Sequence, residues 1–274
     1  MVAIVTGAAS GIGKHFAGEL AASNFQLALA DVNEAGLTAA FDRSPDRLLF
    51  PLDVRNPDQW RALIAATLER FGRIDYLFNI AGIIQPGFIA ETDIKWIDRH
   101  MDINAKGVMY GTKLVSEVMI QQGAGHIVNI ASLAGVAPIK GISLYSASKY
   151  AVRGFSLAAG YELRPHGVFV TVVCPDLVDT PMLDLQLHYP KEAALTFSGP
   201  QKPLLVEDIS RILWRAMKNK PLEVLYPATR GWLARLGNLL PALGGFLDAR
   251  LTRKGQIQAK RLSQLKSLHQ HPRP

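Results

Sequence analysis

The sequence predicts an α/β fold: a single doubly wound parallel sheet flanked by helices, with a helical C-terminal extension. Three observations lead there. Short, continuously apolar runs recur up to about residue 225, as strands covered on both faces should read. Amphipathic stretches separate them, and strand, helix, strand in repetition argues parallel pairing. A glycine-rich turn joins the first run to the first amphipathic stretch.

The strand runs, in order, are VAIVT (2–6), QLALAD (26–31), RLLFPLD (47–53), IDYLFNIAG (74–82), HIVNIAS (126–132), VFVTVVCP (168–175) and LEVLYP (222–227). Helices are expected at 12–23, 57–71, 93–121, 144–164 and 206–218. The first strand begins at once, without a basic leader or a long apolar segment, so no signal peptide is expected. Nor is a membrane-spanning helix expected, since no stretch reaches about 18 apolar residues. The turn after the first strand, TGAASGIG (6–13), carries Gly7, Gly11 and Gly13. Glycines there permit a tight turn and close approach of a pyrophosphate. The following helix start offers that anion free N–H groups and a partial positive charge.

Asp31 closes the second strand, where a carboxylate can accept from a ribose 2′-OH and would repel a 2′-phosphate. Ser10, before Gly11, is not a base that could pair with such a phosphate. Both features favour NAD over NADP; the plain alternative for Asp31 is a helix N-cap. Asp53 ends the third strand, where it could accept from an adenine amino group or cap the next turn, and Asn79 ends the fourth. Tyr145 and Lys149 lie four residues apart, on one face of a helix. Cys174, the single cysteine, ends an apolar run with no activating base beside it and reads as a buried structural thiol. One cysteine also excludes an internal disulfide and fits a reducing, cytoplasmic setting. No metal is expected.

Two segments break the rhythm. Residues 181–203 hold scattered prolines and little strand pattern, and would sit at the carboxyl end of the sheet, where a long insertion is often a lid. Residues 228–251 place Trp232, Leu236, Leu239, Leu240, Leu243 and Leu247 at helical spacing. A packing helix or subunit contact is the favoured reading, with an amphipathic membrane-surface element as the alternative. With 274 residues, 49% hydrophobic and 19% charged, the chain can bury a large core without staples. The expected division is a dinucleotide-binding and catalytic domain over 1–227 and an extension with a basic tail over 228–274. The net charge of +7 lies wholly in the tail: Arg250, Arg253, Lys254, Lys260, Arg261, Lys266 and Arg273 face no acidic residue beyond 249, while the rest balances. Such a tail reads as a solvated end or, less often, as a contact for an anionic partner. No nucleic-acid module is recognised, and no nucleic acid is expected as a partner.

These residues together resemble the short-chain dehydrogenase/reductase family over roughly residues 1–225. TGAASGIG is similar to its cofactor loop, NIAG to its NNAG motif and YSASK to its Y-x-x-x-K signature; Ser132 precedes Tyr145 by the family's spacing, and Asn104 in DINAKG matches its helix-borne asparagine. The resemblance implies a Rossmann fold and hydride transfer between NAD(H) and a secondary alcohol or ketone. Tyr145 is implied as acid/base, Lys149 as the charge that lowers its pKa and holds the nicotinamide ribose, Ser132 as a hydrogen-bond partner of the substrate oxygen, and Asn104 as support for a water linking Lys149 to solvent. It implies cofactor contacts from Gly7, Ser10, Gly11, Ile12, Gly13, Asp31, Asp53, Val54, Asn79, Ala81, Gly82, Tyr145, Lys149, Pro175, Val178 and Thr180. The family has glycine where this chain has Asp176, which either shapes substrate choice or points to solvent. Leu133, Ala134, Ile142, Asp176, Met182 and Leu183 are the expected pocket, mostly apolar. A steroid, retinoid or fatty acyl type of substrate is therefore expected, with a small polyol or hydroxy acid, or a non-catalytic NAD-binding regulator, as alternatives. A homodimer or homotetramer is implied, with peripheral membrane contact through 228–274 left open.

Overall fold

The computed structural model describes residues 1–199, 202–239 and 241–270, with the side chains of 241–247 and 268–270 left aside. Pro200, Leu240, Leu243, Leu247 and Arg273 of the sequence reading therefore lie outside the described residues or side chains. Among the described residues seven strands form one parallel sheet in the order β3-β2-β1-β4-β5-β6-β7. They are β1 (Val2–Thr6), β2 (Gln26–Asp31), β3 (Arg47–Pro51), β4 (Tyr76–Asn79), β5 (Gly125–Ile130), β6 (Val168–Pro175) and β7 (Glu223–Tyr226). The order reverses direction between β1 and β4, and at that switch point the carboxyl ends of the strands open a crevice.

The continuous apolar runs are explained by two cores. Ala3, Val5, Leu27 and Leu29 face a layer built with Phe16 and Leu20 of α1 (Gly11–Ala22) and Ile209 and Leu213. The alternate residues Ile4, Ala28 and Ala30 face Leu63, Val115 and Met119 on the opposite side. β1 and β2 thus have no solvent face on which a polar alternation could be written. Local signals fix the helix ends. In α3 (Pro57–Phe71), Asn56 accepts from the N–H groups of Asp58 and Gln59, Pro57 begins the helix, and Gly72, at φ 76°, ends it.

Four differences from the sequence reading are informative. A short helix, α2 (Glu34–Ala40), capped by Asn33, follows β2; seven residues are too few to show a helical period. The single helix expected over 93–121 is α4 (Lys95–His100), a π-helical turn Met101–Lys106 and α5 (Gly107–Gln122). The irregular 181–203 segment contains α7 (Pro181–Leu187) and a 3₁₀ turn, Ala194–Ser198.

The fourth is the C-terminus. After α8 (Val206–Asn219) and β7, it folds as α9 (Ala228–Leu239) and α10 (Pro241–Gln270). Over its described residues the basic tail is a packed helix rather than a loose end, although Arg250, Arg253, Lys254, Lys260 and Arg261 stand in solvent. Ala259 is buried against Leu183, Ala193 and Phe197, and a Cβ on Gly255 would lie 1.8 Å from the carbonyl oxygen of Ala194. Lys266 bridges Asp179 at 2.6 Å and Asp184 at 2.5 Å, and Asp248 pairs with Lys140 at 2.5 Å. Helix α10 therefore ties the 181–198 segment to the loop before α6 (Ser143–Leu163). On α9 the intrachain packing reading is corrected: Gly231 and Ala234 face the protein, whereas Trp232, Leu233, Leu236 and Leu239 are exposed.

His126 is 1% exposed; its Nε2 lies 2.9 Å from the Thr171 hydroxyl while Nδ1 has no partner. Burial pushes its pKa down from the ordinary 6.5 to about 4. The unfolded chain binds this proton and the folded one does not, so the neutral ring stabilises the fold above about pH 6.5, and that stability is lost as pH falls towards 4. The loss should reach on the order of 3 kcal/mol. Urea titrations at several pH values should show His126→Gln with a flatter acid limb; an unchanged slope would remove His126 from this role.

Candidate active site

The floor of the crevice is held by Thr6 at the end of β1. Its hydroxyl oxygen accepts from Ile80 N at 3.1 Å and Ala81 N at 3.2 Å, fastening β1 to the loop after β4. Gly7, at φ 71°, and Gly13 then make room that a side chain would close: a Cβ on Gly13 would lie 2.2 Å from the Gly7 carbonyl oxygen. Ser10 begins α1 without a side-chain cap, so the first N–H groups of that helix face the crevice unclaimed. This cradle fits a dinucleotide pyrophosphate.

Asp31 lies at the crevice edge. Its carboxylate accepts from Ala9 N and Asn33 N, each at 2.9 Å. Asn33, not Asp31, caps α2, so the capping alternative fails. Asp53 is clasped by Arg55 at 2.6 Å, a hydrogen bond that holds its carboxyl below the usual range despite burial. Asn79 departs from expectation. Its amide donates to Asn129 at 2.8 Å inside a buried cluster with Thr112, away from the crevice. It ties the sheet to α5, so any cofactor contact at this position belongs to the main chain.

Tyr145 and Lys149 share the crevice face of α6, 8% and 3% exposed. Tyr145 sits among Ile84, Ala134, Ile142, Ile139 and Met182. Burial pushes its phenol up to about 12, opposed by the Ser132 hydroxyl beside it. Lys149 donates to the Ile130 carbonyl at 2.9 Å, its Nζ 5.6 Å from the centre of the Tyr145 ring. Burial brings its ammonium down to about 8. Ser132 accepts from Ala134 N at 3.1 Å, which fixes the hydroxyl at the mouth of β5. Asn104 is fully buried in the π turn. It accepts from Ile83 N at 2.8 Å and donates to Ile83 O at 2.9 Å and Ser148 at 3.0 Å. Its amide is committed to the protein rather than turned to the crevice. Both its Oδ1 and the Lys149 ammonium border Gly82, at 3.2 and 3.5 Å from where a Cβ would stand.

All these elements enclose one cavity of about 800 Å³. Apart from Asn79 and Asn104, every residue assigned from the sequence to cofactor, catalysis or substrate lines it. So do Arg230, Leu233, Ala234 and Leu251, from the C-terminal helices, which the sequence reading missed. The family model described as short chain dehydrogenase matches residues 1–188. The chain belongs to the short-chain dehydrogenase family. Within that family it is 35% identical to levodione reductase of Leifsonia aquatica over 72% of this chain and 78% of that protein. It is 34% identical to a 3-alpha-(or 20-beta)-hydroxysteroid dehydrogenase of Mycobacterium tuberculosis over 67% of this chain and 71% of that one. A solved short-chain dehydrogenase/reductase of Burkholderia phymatum, in complex with NAD, superposes with a TM-score of 0.78 at 30% identity, covering 88% of this chain and 94% of its own. The protein is thus an NAD(P)-dependent oxidoreductase acting on CH–OH groups, built on a Rossmann-like sheet.

Proposed function

We propose that this dehydrogenase moves a hydride between NAD(H) and an apolar, alicyclic secondary alcohol or ketone. The observation that carries the substrate class is the apolar nest around Tyr145, where Ile84, Ala134, Ile142, Ile139 and Met182 leave little for a polyol to bond. Its relatives' names, a levodione reductase, a hydroxysteroid dehydrogenase and a cyclohexadiene-diol dehydrogenase, support an alicyclic skeleton. The bound nicotinamide supplies the hydride acceptor or donor. Tyr145 gives or takes the proton on the reacting oxygen, Ser132 hydrogen-bonds that oxygen, and the Lys149 charge favours the phenolate. Their joint presence around one cavity speaks against a regulator without catalysis.

The preference for NAD rests on Asp31, fixed by Ala9 N and Asn33 N at the crevice edge. A 2′-phosphate there would meet a carboxylate. Assays with NAD and NADP in parallel should show NAD favoured by about 100-fold, and Asp31→Ala should narrow the ratio by at least about tenfold. A clear wild-type preference for NADP would overturn the assignment. The exposed apolar row on α9 supports a homo-oligomer whose partner covers it, with a membrane surface as the alternative cover. Among the described residues no helix is long and apolar enough to cross a membrane.

A further inference from the structure

Asp176 stands directly after β6 and Arg230 on the first turn of α9, and both line the cavity that holds Tyr145. Their side chains are 10% and 33% exposed, and Nε approaches Oδ2 to 2.6 Å. The approach is close but misaligned: neither Asp176 Oδ2 nor Arg230 Nε makes a hydrogen bond of acceptable angle, and both atoms are buried. Oδ2 and Nε are sealed against each other, so the exposed part of this pair on the cavity wall is the rest of the guanidinium and carboxylate, which a ligand can hydrogen-bond. A third element is shaped for them. Gly199 lies under the guanidinium, and a Cβ there would stand 2.5 Å from Nη1 and 2.9 Å from Nη2. Strand end, 3₁₀ segment and C-terminal helix thus converge on one charged pair, in a wall that also carries Gln186, Thr196 and Ser198 among its leucines, isoleucines and methionine.

Resting on the hydride-transfer reading above, we propose that Asp176 and Arg230 form a second recognition point. It selects substrates bearing a neutral hydroxyl or carbonyl remote from the reacting carbon. The pair carries one charge of each sign and offers one acceptor and several donors. A hydroxyl can donate to Asp176 and accept from Arg230, and a carbonyl can accept from Arg230. A carboxylate in the same place would face the Asp176 carboxylate, so an anionic end is disfavoured. Burial raises the Asp176 carboxyl, with the Arg230 charge opposing, which agrees with a pair held in low dielectric. Asp176 lies within the 1–188 family match and Arg230 beyond it.

The test is calorimetric binding to the NAD-loaded protein of three ligands on one saturated two-ring skeleton: a mono-alcohol, the diol with a distal hydroxyl, and the hydroxy acid with a distal carboxylate. Wild type should bind the diol about tenfold more tightly than the mono-alcohol, and the hydroxy acid more weakly than the diol. Arg230→Met and Asp176→Asn should bring the diol to mono-alcohol ratio close to one. Gly199→Ala, which displaces the guanidinium without changing charge, should do the same. Equal wild-type affinities, tightest binding of the hydroxy acid, or a ratio retained in all three variants would each overturn the proposal. Turnover is followed on the same ligands. A diol preference without NADH formation would sink the hydride-transfer reading and leave the recognition point standing.

Discussion

Tyr145→Phe is expected to lower kcat by about 10²–10⁴-fold, the range a positioned proton donor supplies. Affinity for NAD, read by calorimetry, should stay nearly unchanged. The substitution removes one hydroxyl and keeps the ring that packs on Ile84, Ala134 and Ile142, so the fold should survive. The loss is large because Ser132, the other group assigned to the reacting oxygen, hydrogen-bonds it without replacing the phenol as proton donor. The phenol, at about 12, is a proton donor at neutral pH, as ketone reduction requires. Lys149, at about 8, is charged below that value and neutral above it. Reduction, which uses both the phenol and the ammonium, should therefore fade as pH rises through about 8, and Lys149→Met should remove that limb of the profile. A Tyr145→Phe variant retaining more than about a tenth of wild-type kcat would show that another group moves the proton.

Deleting residues 250–274 should loosen the substrate wall more than the glycine cradle. Ala259 and Leu262 cover Leu183, Leu187, Ala193 and Phe197, and Lys266 holds Asp179 and Asp184 at the root of α7. Exposing that face should cost on the order of 3 kcal/mol. For a domain of this size that is roughly a 6–12 °C fall in Tm. KM for an apolar alcohol should rise by at least about tenfold, since Met182 and Leu183 sit on the uncovered segment. Gly11 borders Thr180 and Pro181 at the root of α7, so affinity for NAD should fall as well, but by less than affinity for the alcohol. Unchanged Tm and KM would mean that α10 is a passenger.

How much of this was legible in the sequence depended on where the information lies. Strands buried on both faces write themselves as unbroken apolar runs, so all seven were found within a few residues. The glycine loop stands out by its place between strand and helix, whereas Ser132 and the Tyr145–Lys149 pair were marked by their resemblance to the family's motifs; the structure gathers them round one cavity. Residue type does not reveal which way the side chain of Asn79 at a strand end points; its amide goes to Asn129. The packing of the basic tail was not legible for a different reason. Its contacts, Lys266 with Asp179 and Gly255 under Ala194, join positions some 60 or more residues apart, and the packed residues are Gly255, Ala259 and Leu262 rather than a leucine stripe. Arg230 had one indirect sign. Asp176 is an unusual charge at a buried strand end, and such a charge requires a partner somewhere in the chain.

The central claim is direct hydride transfer from a carbinol carbon, with Tyr145 as the proton acceptor. It is most directly tested with an alicyclic secondary alcohol deuterated at the carbinol carbon, incubated with NAD and the full chain, followed by mass analysis of the reduced nicotinamide. The expected result is deuterium on the nicotinamide ring and ketone in equal amount, with wild type but not with Tyr145→Phe. Ketone formed without deuterium on the nicotinamide, or equal transfer by the Tyr145→Phe variant, would contradict it.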